Sequence, residues 1–456
     1  MAEKISARKL AAIVLGKADL EKGKVGLLLK KLLSQTEERQ RATDLVFGTV
    51  RNRFAIDRLI DRFAGCPRDR IQDKLLNIIR IGAYELFYNP LTPDYSIVSE
   101  AVETAKDLFG RRQGGFVNAV LRKLIRHIES RQVSLSGTND RKMLPQTPAS
   151  GCRFDEEFLP DAQKSAAEYL SYSFSIPQWL VERWLSRFGF EQTRNICLAS
   201  NRRPSIYIRP NRLKTTADKI AERLRQADID FAIAAGGEML KIKSPRAVQD
   251  LPGFDDGWFT VQDITAAQPV GLMQVRPRWT ILDLCAAPGT KTAQLAELTE
   301  DKGRIIATDS DMDRLEKVRE NIDRLGIRTV ETVSYGKLDE TAAKTGPFDA
   351  VLLDVPCSNT GVLARRIEVR YRIRPQTAEQ LSKTQYRLLQ TAAGLVKPGG
   401  KVCYSTCSIE AEENVELVKR FLRENGDFQL EQERLTLPSA AEFDCDGGYA
   451  AVLVRQ

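Results

Sequence analysis

Apolar positions recur at helical spacing through the first 130 residues. A run over residues 7–15 opens the pattern. Residues 41–63 then place Leu45, Val46, Val50, Phe54, Ile56, Leu59, Ile60 and Phe63 close to a 3.6-residue period. Helices over 75–88 and 97–108 follow, parted by Asn89-Pro90 and Pro93, and the last helix begins at Gly114. The pattern then lapses. Residues 131–165 are polar, with Pro145, Pro148 and scattered Ser, Thr and Gly, and read as a poorly ordered linker. Over 166–264 it recovers as a mixture: a helix at 179–188, a strand at 205–209, a helix at 216–227 and strand-like pieces up to 259–262. From 265 to 456 strand and helix alternate, the mark of βαβ units on a mostly parallel sheet. The chain thus reads as multidomain. An all-α part (1–130), a linker (131–165) and a small α+β lobe (166–264) precede an α/β domain (265–456).

Charge sharpens the division. Residues 1–130 carry 24 Lys+Arg against 16 Asp+Glu, and the rest of the chain carries 45 of each, so the net charge of +8 belongs to the helical part. A basic module on a neutral one suits a polyanionic partner, although solvated helix surface gives the same count. No run approaches the roughly 20 apolar residues of a membrane span, and the N-terminus lacks the apolar centre of a signal peptide. A cytoplasmic, membrane-free protein is expected. Eight cysteines occur without a C-x-x-C, and His127 is the sole histidine. That set argues against zinc, and hence for no metal. It also excludes most Ser/His/Asp and Cys/His hydrolase mechanisms.

The chemistry-bearing stretches lie at four strand ends of the last domain. Ile281-Leu-Asp-Leu-Cys-Ala-Ala-Pro-Gly-Thr-Lys-Thr292 reads as strand, tight turn and helix. Its spacing fits neither a dinucleotide fingerprint nor a triphosphate loop, and an ordinary strand–helix turn is the competing reading. Gly303 to Asp309 is a second strand ending in an acid, and such a carboxylate can hold a ribose diol. Val351-Leu-Leu-Asp-Val-Pro-Cys357 and Gly400-Lys-Val-Cys-Tyr-Ser-Thr-Cys407 are two more apolar runs that deliver Asp354, Cys357 and Cys407. On a parallel sheet all of these converge at one rim.

The paired Pro-Cys and Thr-Cys motifs resemble those of the S-adenosylmethionine-dependent RNA cytosine-5 methyltransferases, and in particular the bacterial Sun/Fmu (RsmB-type) enzymes of small-subunit rRNA. The likeness spans nearly the whole chain. Arg111-Arg-Gln-Gly-Gly-Phe-Val-Asn-Ala-Val-Leu-Arg-Lys123 is similar to part of the NusB-like RNA-binding domain of that family. The 166–264 lobe is similar to its RRM-like lobe, and residues 265–456 to its Rossmann-like class I methyltransferase domain. The resemblance implies an rRNA partner, S-adenosylmethionine as cofactor, and a monomer.

Residue by residue, it implies Cys407 as the nucleophile that adds to carbon 6 of the base. It implies Cys357 as the group assisting proton removal or product release, and Asp354 as a base contact. Cys285, Ala286, Ala287, Pro288, Gly289, Thr290 and Lys291 would wrap the cofactor with Asp309 on its ribose, and Asp354 lies close by. Cys285 and Cys403 also read as small core residues. Two departures stand out. Tyr335 occupies the place of the acid that the family sets against adenine. The segment Arg365-Arg366-Ile367-Glu368 lacks the usual proline, but with Arg370, Arg372 and Arg374 it forms an arginine cluster suited to phosphates. In the lobe, Arg202, Arg203, Arg209 and Arg212 read equally as RNA contacts or as surface charge. The same chemistry on tRNA or another RNA, and a catalytically silent RNA-binding factor, are the alternatives to an rRNA methyltransferase.

Overall fold

A computed structural model describes residues 4–23, 25–135, 139–234, 236–244 and 246–456. Two units emerge, Met1–Arg202 with Leu363–Pro375, and Arg203–Val362 with Gln376–Gln456.

The first unit is built from helices at Ala7–Lys17, Val25–Leu32, Arg39–Arg51, Arg53–Phe63, Asp73–Tyr88, Asp94–Phe109 and Arg111–Arg126. Ser6 caps the first by accepting from the Lys9 amide at 3.3 Å. Asp73–Tyr88 is the central helix. It is buried along most of its length from Leu75 to Phe87, which suits a run apolar on nearly every face. Its polar members are paired: Arg80 with Asp57 at 2.7 Å, and Glu85 with Arg8 at 2.5 Å. Tyr84 lies over Gly48, where any Cβ would collide with its ring. The pattern over 41–63 predicts one helix, but the chain breaks at Asn52 (φ −108°, ψ 18°), whose side chain donates to the Gly48 carbonyl at 3.0 Å.

The expected linker is structured. Ile128–Ser134, Met143–Pro145 and Ser150–Phe154 form an antiparallel sheet with Ser150–Phe154 in the middle. Its inward residues Leu144, Cys152 and Phe154 are fully buried, so a polar composition concealed a strand alternation. His127 caps the last of the seven helices and stacks on Phe63 at 4.4 Å. Helices Ala166–Phe174 and Gln178–Asn201 also belong to this unit, the second interrupted at Gly189 (φ 73°).

One arginine corrects the sequence reading. Arg370, expected to face phosphate, is 1% exposed. Its guanidinium donates to the carbonyls of Arg51, Ser175, Ser200 and Leu363 and to the Asn201 side chain. Burial pulls its pKa down to about 10. Arg370 is therefore a staple within this unit, whereas Arg365, Arg366, Arg372 and Arg374 are exposed.

The second unit carries two sheets. The smaller has four antiparallel strands, Ile206–Pro210 lying between Leu240–Ile242 and Phe259–Val261, with Phe231–Ile233 outermost. Arg209 is also not a surface charge: it is buried, ion-paired with Glu297 and bonded to Gln262 at 2.6 Å. The larger sheet contains β1 (Thr280–Asp283), β2 (Arg304–Asp309), β3 (Val330–Ser334), β4 (Phe348–Asp354), β5 (Val396–Thr406), β6 (Phe428–Thr436) and β7 (Gly448–Arg455). Their order is β3-β2-β1-β4-β5-β7-β6, parallel through β5, with β7 antiparallel to both neighbours. Alternate residues enter opposite cores. Ile281, Leu352 and Cys403 pack on one face, and Leu282, Leu353 and Tyr404 on the other. No helix among the described residues is long and apolar enough to cross a membrane.

Candidate active site at the strand ends

The parallel register sets the site. Ser334 pairs with Asp309 and Asp354 with Ser405, so the ends of β3, β2, β4 and β5 share a rim, with Asp283 at the end of β1. Ligands settle at such a rim in open α/β sheets.

Between β1 and helix Thr290–Leu298 the loop is drawn tight. The Ala287 amide donates to Asp309 Oδ2 at 3.3 Å, and Arg314 and Asn321 each reach a loop carbonyl, at Ala287 and Pro288, at 2.9 Å. The Ala287–Pro288 bond is cis. Gly289 turns at φ 95°, and a Cβ there would sit 3.1 Å from Val318, so glycine meets both demands. Asp283 lies beneath, 1% exposed, with Oδ2 accepting from Thr292 at 2.7 Å. Its Oδ1 has no partner among the described residues. Burial raises its pKa to about 7, the Thr292 bond opposes this, and nearby Asp354 and Asp309 add to it. An orphaned carboxylate oxygen and two neighbouring acids make a site that favours a cation-bearing ligand. That charge fits S-adenosylmethionine, whose sulfonium and ammonium groups are positive.

Across the rim Asp354 accepts from Lys291 Nζ and from Ser405 Oγ, each at 2.7 Å. Burial alone would lower the Lys291 pKa, but Asp354 outweighs it and the pKa is raised, so the ammonium persists. The two motif cysteines meet here, Sγ to Sγ at 3.1 Å. The hydrogen bond to Cys407, then burial, hold the Cys357 thiol well above the ordinary range. Across this contact either thiol can donate to the other. Cys407 Sγ is also 3.3 Å from Asn359 Oδ1. It opens on a cavity of about 60 Å³ that Lys291, Asp354, Thr265 and Tyr449 also line. Burial pushes the Cys285 and Cys403 thiols up to about 12. Cys403 is fully inside the core, and its thiol has no path to chemistry. Cys285 sits half-buried in the loop after β1. Tyr335, 37% exposed, follows β3 directly and so stands at the rim beside Asp309.

Glu413 escaped the sequence reading. It is fully buried behind the cysteines and accepts from the Ser358 amide at 2.8 Å, Ser408 Oγ at 2.6 Å, Gln385 Nε2 at 2.9 Å and Ser358 Oγ. Ser358 and Ser408 each follow a motif cysteine, so one carboxylate ties both loops together. In Glu410-Ala-Glu-Glu-Asn414 it looks like solvated charge, and no spacing signals otherwise. Glu413→Ala would leave several donors unpaired, at a cost of about 3 kcal/mol. A clearly lower melting temperature is expected, and an unchanged one would show that the loops are held by other means.

A model of the 16S rRNA methyltransferase RsmB/F family matches residues 270–449, one of the NusB family residues 5–126, and one of the ferredoxin-like domain of RsmF/B-like methyltransferases residues 176–249. The chain is 32% identical to the ribosomal RNA small subunit methyltransferase B of Erwinia tasmaniensis, over 91% of this chain and 90% of the relative. It is 31% identical to the protein of the same name from Serratia proteamaculans, over 98% of each. Among solved structures, that of PH0851 superposes with a TM-score of 0.74 at 23% identity, over 99% of both chains, and shares the fold.

Proposed function

Since the chain belongs to the RsmB family of ribosomal RNA small subunit methyltransferases, we propose that it methylates carbon 5 of an unpaired cytosine in 16S rRNA through a covalent cysteine adduct. It is an S-adenosylmethionine-dependent rRNA methyltransferase. The observation that carries the finer reading is the pair of thiols, 3.1 Å apart, at the rim beside Asp354.

When bound, S-adenosylmethionine supplies an electrophilic methyl group. Residues 285–291 would hold it, with Asp309 on the ribose and the exposed ring of Tyr335 available to adenine. The protein must make carbon 5 nucleophilic. Cys407 adds as a thiolate to carbon 6, and the carbon 6–sulfur bond places electron density on carbon 5, which takes the methyl group. Asp354, fixed by Lys291 and Ser405, would contact ring N3 and N4 and stabilise the adduct. A water molecule takes the carbon 5 proton, and the electron pair left behind re-forms the carbon 5–carbon 6 double bond as the carbon 6–sulfur bond breaks and Cys407 departs as a thiolate. Cys357, a thiol donor to Cys407, favours the departing thiolate. The base must leave its stack to reach so narrow a cavity. Exposed Arg365, Arg366, Arg372 and Arg374 would contact phosphates.

The test is methyl transfer from labelled S-adenosylmethionine to 16S rRNA lacking the modification, with nucleosides identified by mass spectrometry. 5-Methylcytidine is the expected product. A labelled product of any other kind, or methyl transfer to tRNA in preference to rRNA, would overturn the reading.

A further inference from the structure

A cleft of about 890 Å³ opens between the four-stranded sheet and helix Ile264–Met273 in the second unit. Its size falls within the roughly 300–1,000 Å³ of ligand sites. Gln268 and Arg434 line both this cleft and the cavity at Cys407, so the two spaces adjoin. Gln268 is fixed by Thr436 Oγ1 at 2.9 Å. Arg434 lies two residues away on β6 and so points to the same face.

The charges of the cleft are mostly spent. Buried Arg209 is paired with Glu297, and Arg212 with Glu238 at 2.5 Å. Asp263 and Asp446 line the smaller cavity, and Asp263 accepts from the amides of Thr265 and Asp446 at 2.9 and 3.1 Å. Arg434 is exposed and has no ion pair among the described residues. An uncompensated cation therefore stands where the two spaces meet. Ile264, Leu272 and Val275 give the cleft half-buried apolar walls, and no aromatic ring among the described residues lines it.

We propose that this cleft receives the nucleotide adjoining the target cytidine, and that Arg434 contacts the phosphodiester between them. The inference rests on the reading that an RNA base enters the cavity at Cys407. That cavity, at about 60 Å³, admits part of a base and no backbone, so the strand must continue into adjoining space. The link between the two nucleotides carries one negative charge and meets the arginine at the junction. Without a stacking ring, the phosphate contact carries the positioning of the strand.

The test uses the full-length protein and Arg434→Ala, Arg434→Lys and Arg434→Glu. For Arg434→Ala, KM for 16S rRNA should rise roughly tenfold while the cofactor Kd and melting temperature stay fixed. The lysine variant should recover most of the loss, and the glutamate variant should exceed it. Binding of an oligouridine 12-mer, which has no cytosine to methylate, should lose about 0.7 from the slope of log K against log salt, one single-strand phosphate contact. A reduced slope without any methyl transfer by the wild type would keep the subsite and remove the reaction. Normal transfer with unchanged KM and slope would overturn the subsite.

Discussion

Cys407→Ala should lower methyl transfer to rRNA by roughly 10⁴-fold or more, a loss of about 5.5 kcal/mol of transition-state stabilisation. Without this thiol nothing in the cavity can add to carbon 6. Cys357 is a poor replacement, because it is only 9% exposed and burial still pushes its thiol above the ordinary range once the bond to Cys407 is gone. The cofactor loop is positioned by Asp309, Arg314 and Asn321 rather than by the cysteine, so S-adenosylmethionine should bind as before. Single-turnover transfer and equilibrium cofactor binding measure the two halves. Near-normal transfer by the variant would show that Cys407 is not the nucleophile.

Cys357→Ala should produce the opposite kind of defect. Cys407 still attacks, and the methyl group still arrives, but the thiolate leaves slowly because its donor at 3.1 Å is gone. A methyl-labelled protein–RNA complex should accumulate on a denaturing gel, with multiple turnover falling by roughly 10²-fold, the scale of one lost general-acid contribution. The complex should be absent from the Cys357→Ala/Cys407→Ala protein. Trapping by Cys407→Ala instead would exchange the two roles and move the protein towards the mechanism of DNA cytosine-5 methyltransferases, where the Pro-Cys cysteine attacks.

The rim was legible because apolar strands ending in Asp283, Asp309, Asp354 and Cys407 announce both their secondary structure and their end. In a parallel sheet, those ends meet. Arg370 was not legible. Its acceptors sit at residues 51, 175, 200 and 201, and no local pattern separates an arginine that reaches carbonyls from one that reaches solvent. Glu413 hides in an acidic run for the same reason. The strands of 128–154 are short and share a polar face, which composition reads as disorder. At Asn52 the apolar period runs straight across the helix break, because packing on the core continues although the backbone path does not.

The staple at Arg370 also bears on how this chain could be divided. The first unit includes Leu363–Pro375, a segment enclosed by the sequence of the second. A fragment beginning at residue 203 would therefore retain a guanidinium that had lost every acceptor but the Leu363 carbonyl, together with apolar Ile367, Val369 and Ile373 that are buried in the intact chain. A fragment ending at residue 202 would lack the piece that fills its own interior. Neither half is an independent module. Fusion, deletion or recombination at that junction must carry the excursion to the correct side.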